Sequence, residues 1–433
     1  MAAFDRTDPA YGAYLRILET ELIPATGCTE PIAIAYGAAK ARQVLGALPE
    51  KCRVACSGNI IKNVKSVVVP NTGNLRGIEA AAAAGLVAGD PDVQLQVISH
   101  VAEKDRDAIR AYRDSHQIEV VPWAGDKVFY IALTVWAGED SARVVIEDFH
   151  TNITCIEKNG VRIFAQEGDC SEGGESGDGP AYELLSVARI VDFADSVDLV
   201  DVETVLERQI ACNTAISREG LTHSWGARIG QTLLAAQGNS VRVRAKAAAA
   251  AGSDARMSGC EMPVVIVSGS GNQGMTASLP VIEYARELNV SREKLLRALV
   301  VSNLVTIHQK TSIGRLSAFC GAVSAGCGAA AGIAYLHGDG YEVIAHTVVN
   351  TLAILSGMVC DGAKPSCAGK IAMAVEAGLM GYEMYKHGKN QFYSGEGIVK
   401  KGVDNTIRTV GRMAREGMRD TDREILDIMT ESC

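Results

Sequence analysis

The sequence predicts an α+β protein, a largely helical part joined to a smaller mixed unit. Strand-like runs crowd between 50 and 167. From Pro180 onward nearly every segment has helical spacing instead. Between them Gly168–Gly179 (GDCSEGGESGDG) has the Gly, Ser and acid content of a linker or exposed loop. The expected division is 1–49 as N-terminal helices packed on the helical part, 50–167 as the α+β domain, 168–179 as linker, and 180–433 as all-helical.

Residues 9–22 place Tyr14, Ile17 and Leu18 on one side of a helix, and Pro24-Ala25-Thr26-Gly27 breaks it. Proline suits a first helical turn, so Pro31 opens a second helix that runs to about Leu45. Arg53–Cys56 and Ser66–Val69 read as strands, Asn71-Thr72-Gly73-Asn74 as a loop, and Gly77–Gly85 as a small-residue helix. Val93–Ile98 alternates as a half-buried strand does, and Glu103–Ser115 reads as a charged, exposed helix. Strands follow at Ile118–Val121, Phe129–Trp136, Ala142–Asp148, Ile153–Lys158 and Val161–Gln166. The helices expected next are Tyr182–Phe193, Val202–Ser217, Arg228–Gln237, Ser240–Gly252 and Val281–Leu288. Arg292–His308, Arg315–Leu336, Glu342–Met358, Cys367–Lys386 and Thr406–Met429 complete the set.

A chain of 433 residues is long enough for large cores and two domains. With 42 Lys+Arg against 51 Asp+Glu the formal charge is −9, which argues against general nucleic-acid binding. Leu316–Leu336 and Val343–Cys360 carry no formal charge and approach the about 20 residues of a membrane span. The first is mostly Gly, Ala, Ser and Cys, and the second contains His346 and Asn350, so a buried helical hairpin is the reading. The N-terminal MAAFDRTDPAYGAYL lacks the basic and apolar regions of a signal peptide, so a cytoplasmic protein is expected. Its 12 cysteines are then thiols, ligands or catalysts. Few aromatics and small-residue helices permit a homodimer without showing one.

Four places could carry chemistry. Cys28 stands just before a predicted helix start, where free N–H groups and the helix dipole favour a thiolate and depress its pKa. A buried, inert cysteine on a tight turn fits the local sequence equally well. Cys360 and Cys367 bracket a Gly- and Pro-broken loop, with Ser366 as N-cap and Cys367 opening the next helix. That suits a metal or cluster, although the spacing matches no common zinc pattern. Cys320 and Cys327 share a helix face, and one of them would complete a three-thiolate set. Ser268–Gly274 (SGSGNQG) follows an apolar run and precedes a helix. Its backbone N–H groups with Ser270, Asn272, Gln273 and Gly274 could cradle a carboxylate or phosphate. Lys62, Asn63, Asn71 and Thr72 form a further polar group, and Lys310 and Arg315 could neutralise a substrate carboxylate or be surface charges.

These motifs resemble the L-cysteine desulfidase family, also described as serine dehydratase α-chain-like. The resemblance covers nearly the whole chain. It rests on ATGCTEPIAIAYGAA (25–39), KNVKSVVVPNTGNLRGIEAAAAAG (62–85), SGSGNQG (268–274), KTSIGRLSAFCGAVSAGCGAAAG (310–332) and GMVCDGAKPSCAGKIA (357–372). It implies a [4Fe–4S] cluster held by Cys320, Cys360 and Cys367, with the fourth iron open to substrate, and it makes 180–433 the cluster-binding part. Cys28 matches the position of the family's catalytic base. By analogy with iron–sulfur L-serine dehydratases, Cys433 is a candidate cap for the open iron, though a disordered tail end is the stronger reading. The activity implied is α,β-elimination of L-cysteine to pyruvate, sulfide and ammonia without pyridoxal phosphate. Four alternatives stand beside it. They are L-serine dehydration by the same mechanism, elimination from another β-substituted amino acid, a non-enzymatic iron–sulfur or metal sensor, and a pyridoxal-phosphate lyase with Lys310 as its Schiff-base lysine.

Overall fold

A computed structural model describes residues 4, 6–166 and 181–431. The expected linker at 168–179 and Cys433 lie outside them. The chain is α+β, with a six-stranded mixed sheet and a larger helical body.

The mixed part begins with α1 (Pro9–Glu21), β1 (Pro24–Thr26), α2 (Thr29–Leu45), β2 (Lys51–Cys56), α3 (Gly58–Val64), α4 (Gly77–Ala88) and α5 (Glu103–Ser115). It continues with β3 (Gln117–Pro122), β4 (Tyr130–Ala137), β5 (Asp140–Glu147), β6 (Ile153–Lys158) and β7 (Val161–Ala165). The sheet order is β3-β2-β4-β5-β6-β7, with only β2 and β3 parallel. Strand alternation sends Cys52, Val54, Leu133, Val144 and Ile146 into the main core. Helix α2 lies against β4 and β5 on that face, with Gly37 over Leu133 and Ile146.

The helical body comprises α6 (Val187–Ser196), α7 (Leu199–Thr222), α8 (Ile229–Gln237), α9 (Val241–Met257), α10 (Gly271–Glu287) and α11 (Arg292–Ile313). It closes with α12 (Gly321–Leu336), α13 (Tyr341–Ile354), α14 (Cys367–Gly388), α15 (Val403–Arg412) and α16 (Arg419–Thr430). Helix starts are set by caps: Asp8, Ser186, Asp198, Ser240, Ser270 and Ser291 each accept a first-turn N–H. The uncharged α12 is surrounded by α10, α11, α13 and α14, and its face is almost wholly Ala and Gly. Among the described residues no helix is long and apolar enough to cross a membrane.

The structure departs from the sequence reading in several places. The expected packing of all of 1–49 on the helical part fails for α2. Helix α1 does touch α7 and α11, but the small-residue face of α2 fits the sheet and α4. The run Val93–Ile98 is not a strand. Asp90 accepts the Asp92 N–H and Pro91 opens a 3-10 turn over Pro91–Gln96, so the local start signal overrides the alternation. Ser66–Val69 contributes only one bridge, Val68 to Arg76. Helix α10 starts ten residues before the expected Val281 and runs through Pro280, and Arg315–Cys320 is not helical. The expected Thr406–Met429 helix is split by a π-helical turn over Met413–Gly417. Last, β1 pairs antiparallel with β8 (Pro263–Val265), from Pro24 with Val265 to Thr26 with Pro263. That pairing ties the segment before Cys28 to the segment before Ser270.

Candidate functional site

Four helices begin around one cavity of about 100 Å³. Cys28 is the N-cap of α2, Ser270 of α10, Cys320 of α12 and Ser366 of α14, where Cys367 is the first helical residue. Each start presents N–H groups without helical partners and the positive end of a dipole, so the cavity favours anions. Of the sequence-predicted residues, Cys28, Ser270, Asn272, Gln273, Cys320, Cys360 and Cys367 all line it.

Backbone pairing brings the thiols together. Phe319 and Val359 form an antiparallel bridge. Beside it the Cys320 N–H donates to Met358 O at 3.0 Å and the Cys360 N–H to Ala318 O at 2.6 Å. The thiols of Cys320 and Cys360 are close enough to influence each other's ionisation. That proximity lowers the Cys360 thiol and raises Cys320, so the buried pair favours one negative charge over two. Cys367 N–H donates to Lys364 O at 2.9 Å and its thiol faces Gly362 O at 3.8 Å. Asp361, paired with Lys364 and Lys370, pins the loop between Cys360 and Cys367, and those lysines hold its carboxyl down at about 2 despite burial. Among the described residues no three His, Cys, Asp or Glu side chains stand close enough to hold a single metal ion. Cys327 lies elsewhere, buried between α12 and α13 with its thiol 3.8 Å from Val348 O.

Cys28 is buried beside Val67, Met257 and Cys367. Its helix start was expected to depress its pKa. Burial dominates instead and pushes the thiol up to about 12, with Glu30 and Cys367 adding to the rise and Arg256 opposing it. Desolvation of a fully enclosed thiolate outweighs one helix dipole.

Of the other predicted residues, Asn63, Lys310 and Arg315 also line the cavity, and Lys62, Asn71, Thr72 and Gly274 do not. Lys62 is buried, ion-paired to Asp422 of α16, and its Nζ donates to the Cys360 carbonyl at 3.3 Å. Asn71 Nδ2 donates to Ile98 O at 2.9 Å, and Thr72 Oγ1 donates to Val69 O at 2.7 Å while accepting the Leu75 N–H. These two shape a turn. A Cβ on Gly274 would lie 2.0 Å from Val265 O, so that glycine serves the approach of α10 to β8. Lys310 does line the cavity, and burial pushes its amine down to about 8, against the pull of Cys360 and Cys320. Arg315 lines it too, but its charge meets Glu21 at 2.8 Å, a carboxylate that also accepts from Tyr182.

Three lining residues escaped the sequence reading. Glu30 stands inside the quoted 25–39 block, two residues after Cys28, and spacing gave it no role. Arg256, buried near the end of α9, carries no local signal. Its Nε donates to Gly27 O at 3.0 Å and its Nη1 to Asn272 Oδ1 at 3.2 Å. His150 reaches in from the turn between β5 and β6. Burial and the nearby Arg315 and Arg256 push it down to about 3, so it is neutral, and its Nε2 is buried without a partner.

The chain is 58% identical over 429 residues to a UPF0597 protein of Desulfitobacterium hafniense, covering 99% of each. It is 51% identical over 420 residues to one of Lachnoclostridium phytofermentans, covering 97% of this chain and 99% of the relative. A third, from Finegoldia magna, is 48% identical over 421 residues, 96% of this chain and 99% of the relative. Residues 92–427 match the family profile described as serine dehydratase alpha chain, which points to a dehydratase-like lyase. On that match, which spans most of its length, the chain belongs to the serine dehydratase alpha chain family.

Proposed function

We propose that this protein is an iron–sulfur lyase that converts L-cysteine and water to pyruvate, sulfide and ammonia without pyridoxal phosphate. Cys320, Cys360 and Cys367 would hold a [4Fe–4S] cluster. The observation that carries the reading is the convergence of these three thiols, Cys28 and the Ser270–Gln273 helix start on one buried cavity. The donor set suits a cluster better than a single ion. All three donors are cysteines, the usual ligands of such clusters, and they surround a cavity without closing on a point. When bound, the cluster supplies a Lewis-acidic iron that makes the β-substituent a better leaving group.

The chain's own groups do the rest. The starts of α10 and α12 face the cavity with free N–H groups suited to a carboxylate. Cys28 is the base for the Cα proton. It must first lose its own proton, a loss that Arg256 favours and burial opposes. Burial of the lining also excludes water until the aminoacrylate leaves; tautomerisation and hydrolysis then need little from the protein.

L-Serine is the second reading, favoured by the family description. Thiolate affinity of iron is the argument for cysteine. The test is anaerobic reconstitution with iron and sulfide, repurification, and parallel assays of L-cysteine and L-serine for pyruvate. Pyruvate with matching sulfide from cysteine supports the desulfidase, and pyruvate chiefly from serine makes it a dehydratase. No pyruvate from either, with the cluster present, overturns both.

A further inference from the structure

Beside Cys28 the cavity holds a buried cation, Arg256, and a half-buried anion, Glu30, that the described residues leave without counter-ions. Arg256 is 4% exposed, and its two protein partners are neutral oxygens, Gly27 O and Asn272 Oδ1. Glu30 is half-buried, and its carboxylate accepts from Asn63 Nδ2 at 3.1 Å and lies 3.1 Å from Thr29 Oγ1, again neutral groups. Among the described residues neither forms an ion pair. Arg315 is matched by Glu21 and Lys62 by Asp422, while Lys310, also without an ion pair among the described residues, donates to the Arg315 carbonyl at 3.5 Å beside the Cys320 and Cys360 thiols. Taking a charge out of water without a partner is expensive, so Arg256 calls for a ligand anion, and the half-buried Glu30 beside it offers a place for that ligand's cation. Three further lining groups have a buried, unfilled polar atom: His150 Nε2, Gln273 Oε1 and Asn63 Oδ1.

Placement gives the two charges a common reference. Glu30 follows Cys28 by two residues on α2, and Arg256 is tied to the carbonyl of Gly27, the residue before Cys28. The unmatched anion and cation therefore flank the thiol that faces the cavity.

We propose that Arg256 and Glu30 form an α-amino-acid clamp, Arg256 taking the carboxylate and Glu30 the ammonium of a free zwitterion, so that Cα is held at Cys28. This rests on the lyase reading for its purpose but not for its test. The clamp selects single amino acids over peptides, amines and simple acids, because a masked carboxylate or ammonium leaves one of its two charges unmet.

The test uses the cluster-loaded protein and L-alanine, which has both charged groups and no leaving group. Binding is measured by calorimetry against L-alaninamide, whose carboxylate is masked, and propionate, which lacks the ammonium. Each missing charge-assisted contact is expected to weaken binding by about 10- to 100-fold. In Arg256→Gln the preference over L-alaninamide should fall to within about threefold, while the preference over propionate persists. Glu30→Gln should do the reverse. Iron content and melting temperature are measured on each variant. If Arg256→Gln does not fold, Glu30→Gln and Arg256→Lys carry the test. L-Alaninamide or propionate binding as tightly as L-alanine, no binding of L-alanine, or both preferences surviving in the folded variants would overturn the clamp. The same preparations are assayed for pyruvate. A working clamp without pyruvate would remove the elimination reading alone, and pyruvate without the preferences would remove the clamp alone.

Discussion

Phe319 and Val359 meet in a single antiparallel bridge, and that contact delivers Cys320 and Cys360 to one place across an entire helical hairpin. The cysteines that face the cavity are set apart from Cys327, which lies two turns along α12 and packs against α13. Cys320→Ala or Cys360→Ala is therefore expected to lose both iron and turnover. Cys327→Ala should keep iron at the wild-type ratio and cost only about 1 kcal/mol of stability. Iron and labile-sulfide analysis of the three purified variants checks this.

Cys28 lines the cavity without belonging to the bridge or to the Cys360–Cys367 loop. Cys28→Ala should retain its iron and lose turnover by about 100-fold or more, the usual worth of a positioned base. Pyruvate formation per cluster is the readout, and a fully active variant would sink the base assignment.

Lys62 joins two elements that the sequence keeps far apart. Its buried Nζ pairs with Asp422 on α16 and holds the Cys360 carbonyl. Asp422→Asn leaves that ammonium without its counter-ion, at an expected cost of about 3 kcal/mol. It should also loosen the Cys360 segment, seen as faster loss of iron to a chelator. Lys62→Met, which removes both charge and penalty, should be the milder change in melting temperature.

Asp254 lies fully buried, its Oδ2 accepting the Gly230 N–H at 3.1 Å, and burial pushes its carboxyl up to about 6. A raised folded pKa means the protonated form stabilises the fold. That contribution is complete below the unfolded value, about pH 4, and is lost as pH rises through 6. The stability of wild type relative to Asp254→Asn should fall by about 3 kcal/mol between pH 4 and 7. Denaturant melts of both proteins across that range test it, and a constant difference would contradict it.

Gly274 stands where α10 crosses β8, and an added Cβ would sit 2.0 Å from Val265 O. Gly274→Ala should destabilise by about 3 kcal/mol or more, since backbone rather than a flexible side chain must move. Unchanged melting temperature and soluble yield would mean that α10 can shift.

Much of the fold was legible because local patterns decide it. Helix α5, strand β6 and helix α14 fall where periodicity puts them, although Ser366, read as a cap, stands before α14 without a side-chain cap bond. Failures came where a longer-range term competes with the pattern. Pro280 reads as a boundary, yet packing carries α10 through it. The segment before Cys320 reads as helix, yet its pairing with Val359 holds it extended.

For the site, residue type and spacing marked the candidate thiols, the helix starts beside them and the Ser270–Gln273 turn, because those are local chemistries, and the choice of Cys320 over Cys327 rested on the family resemblance. The sequence also put Lys62, Asn71 and Thr72 among the substrate-binding candidates, since it cannot tell a polar side chain satisfied by its own turn from one facing a cavity. Only the tertiary structure decided which charges remain unmatched. Arg315 finds Glu21, Lys62 finds Asp422, and Arg256 and Glu30 find no ion partner among the described residues. It decided, too, that Cys28 is enclosed deeply enough for desolvation to override its helix dipole. Burial and charge pairing are sums over distant segments, and no local run of residues contains them.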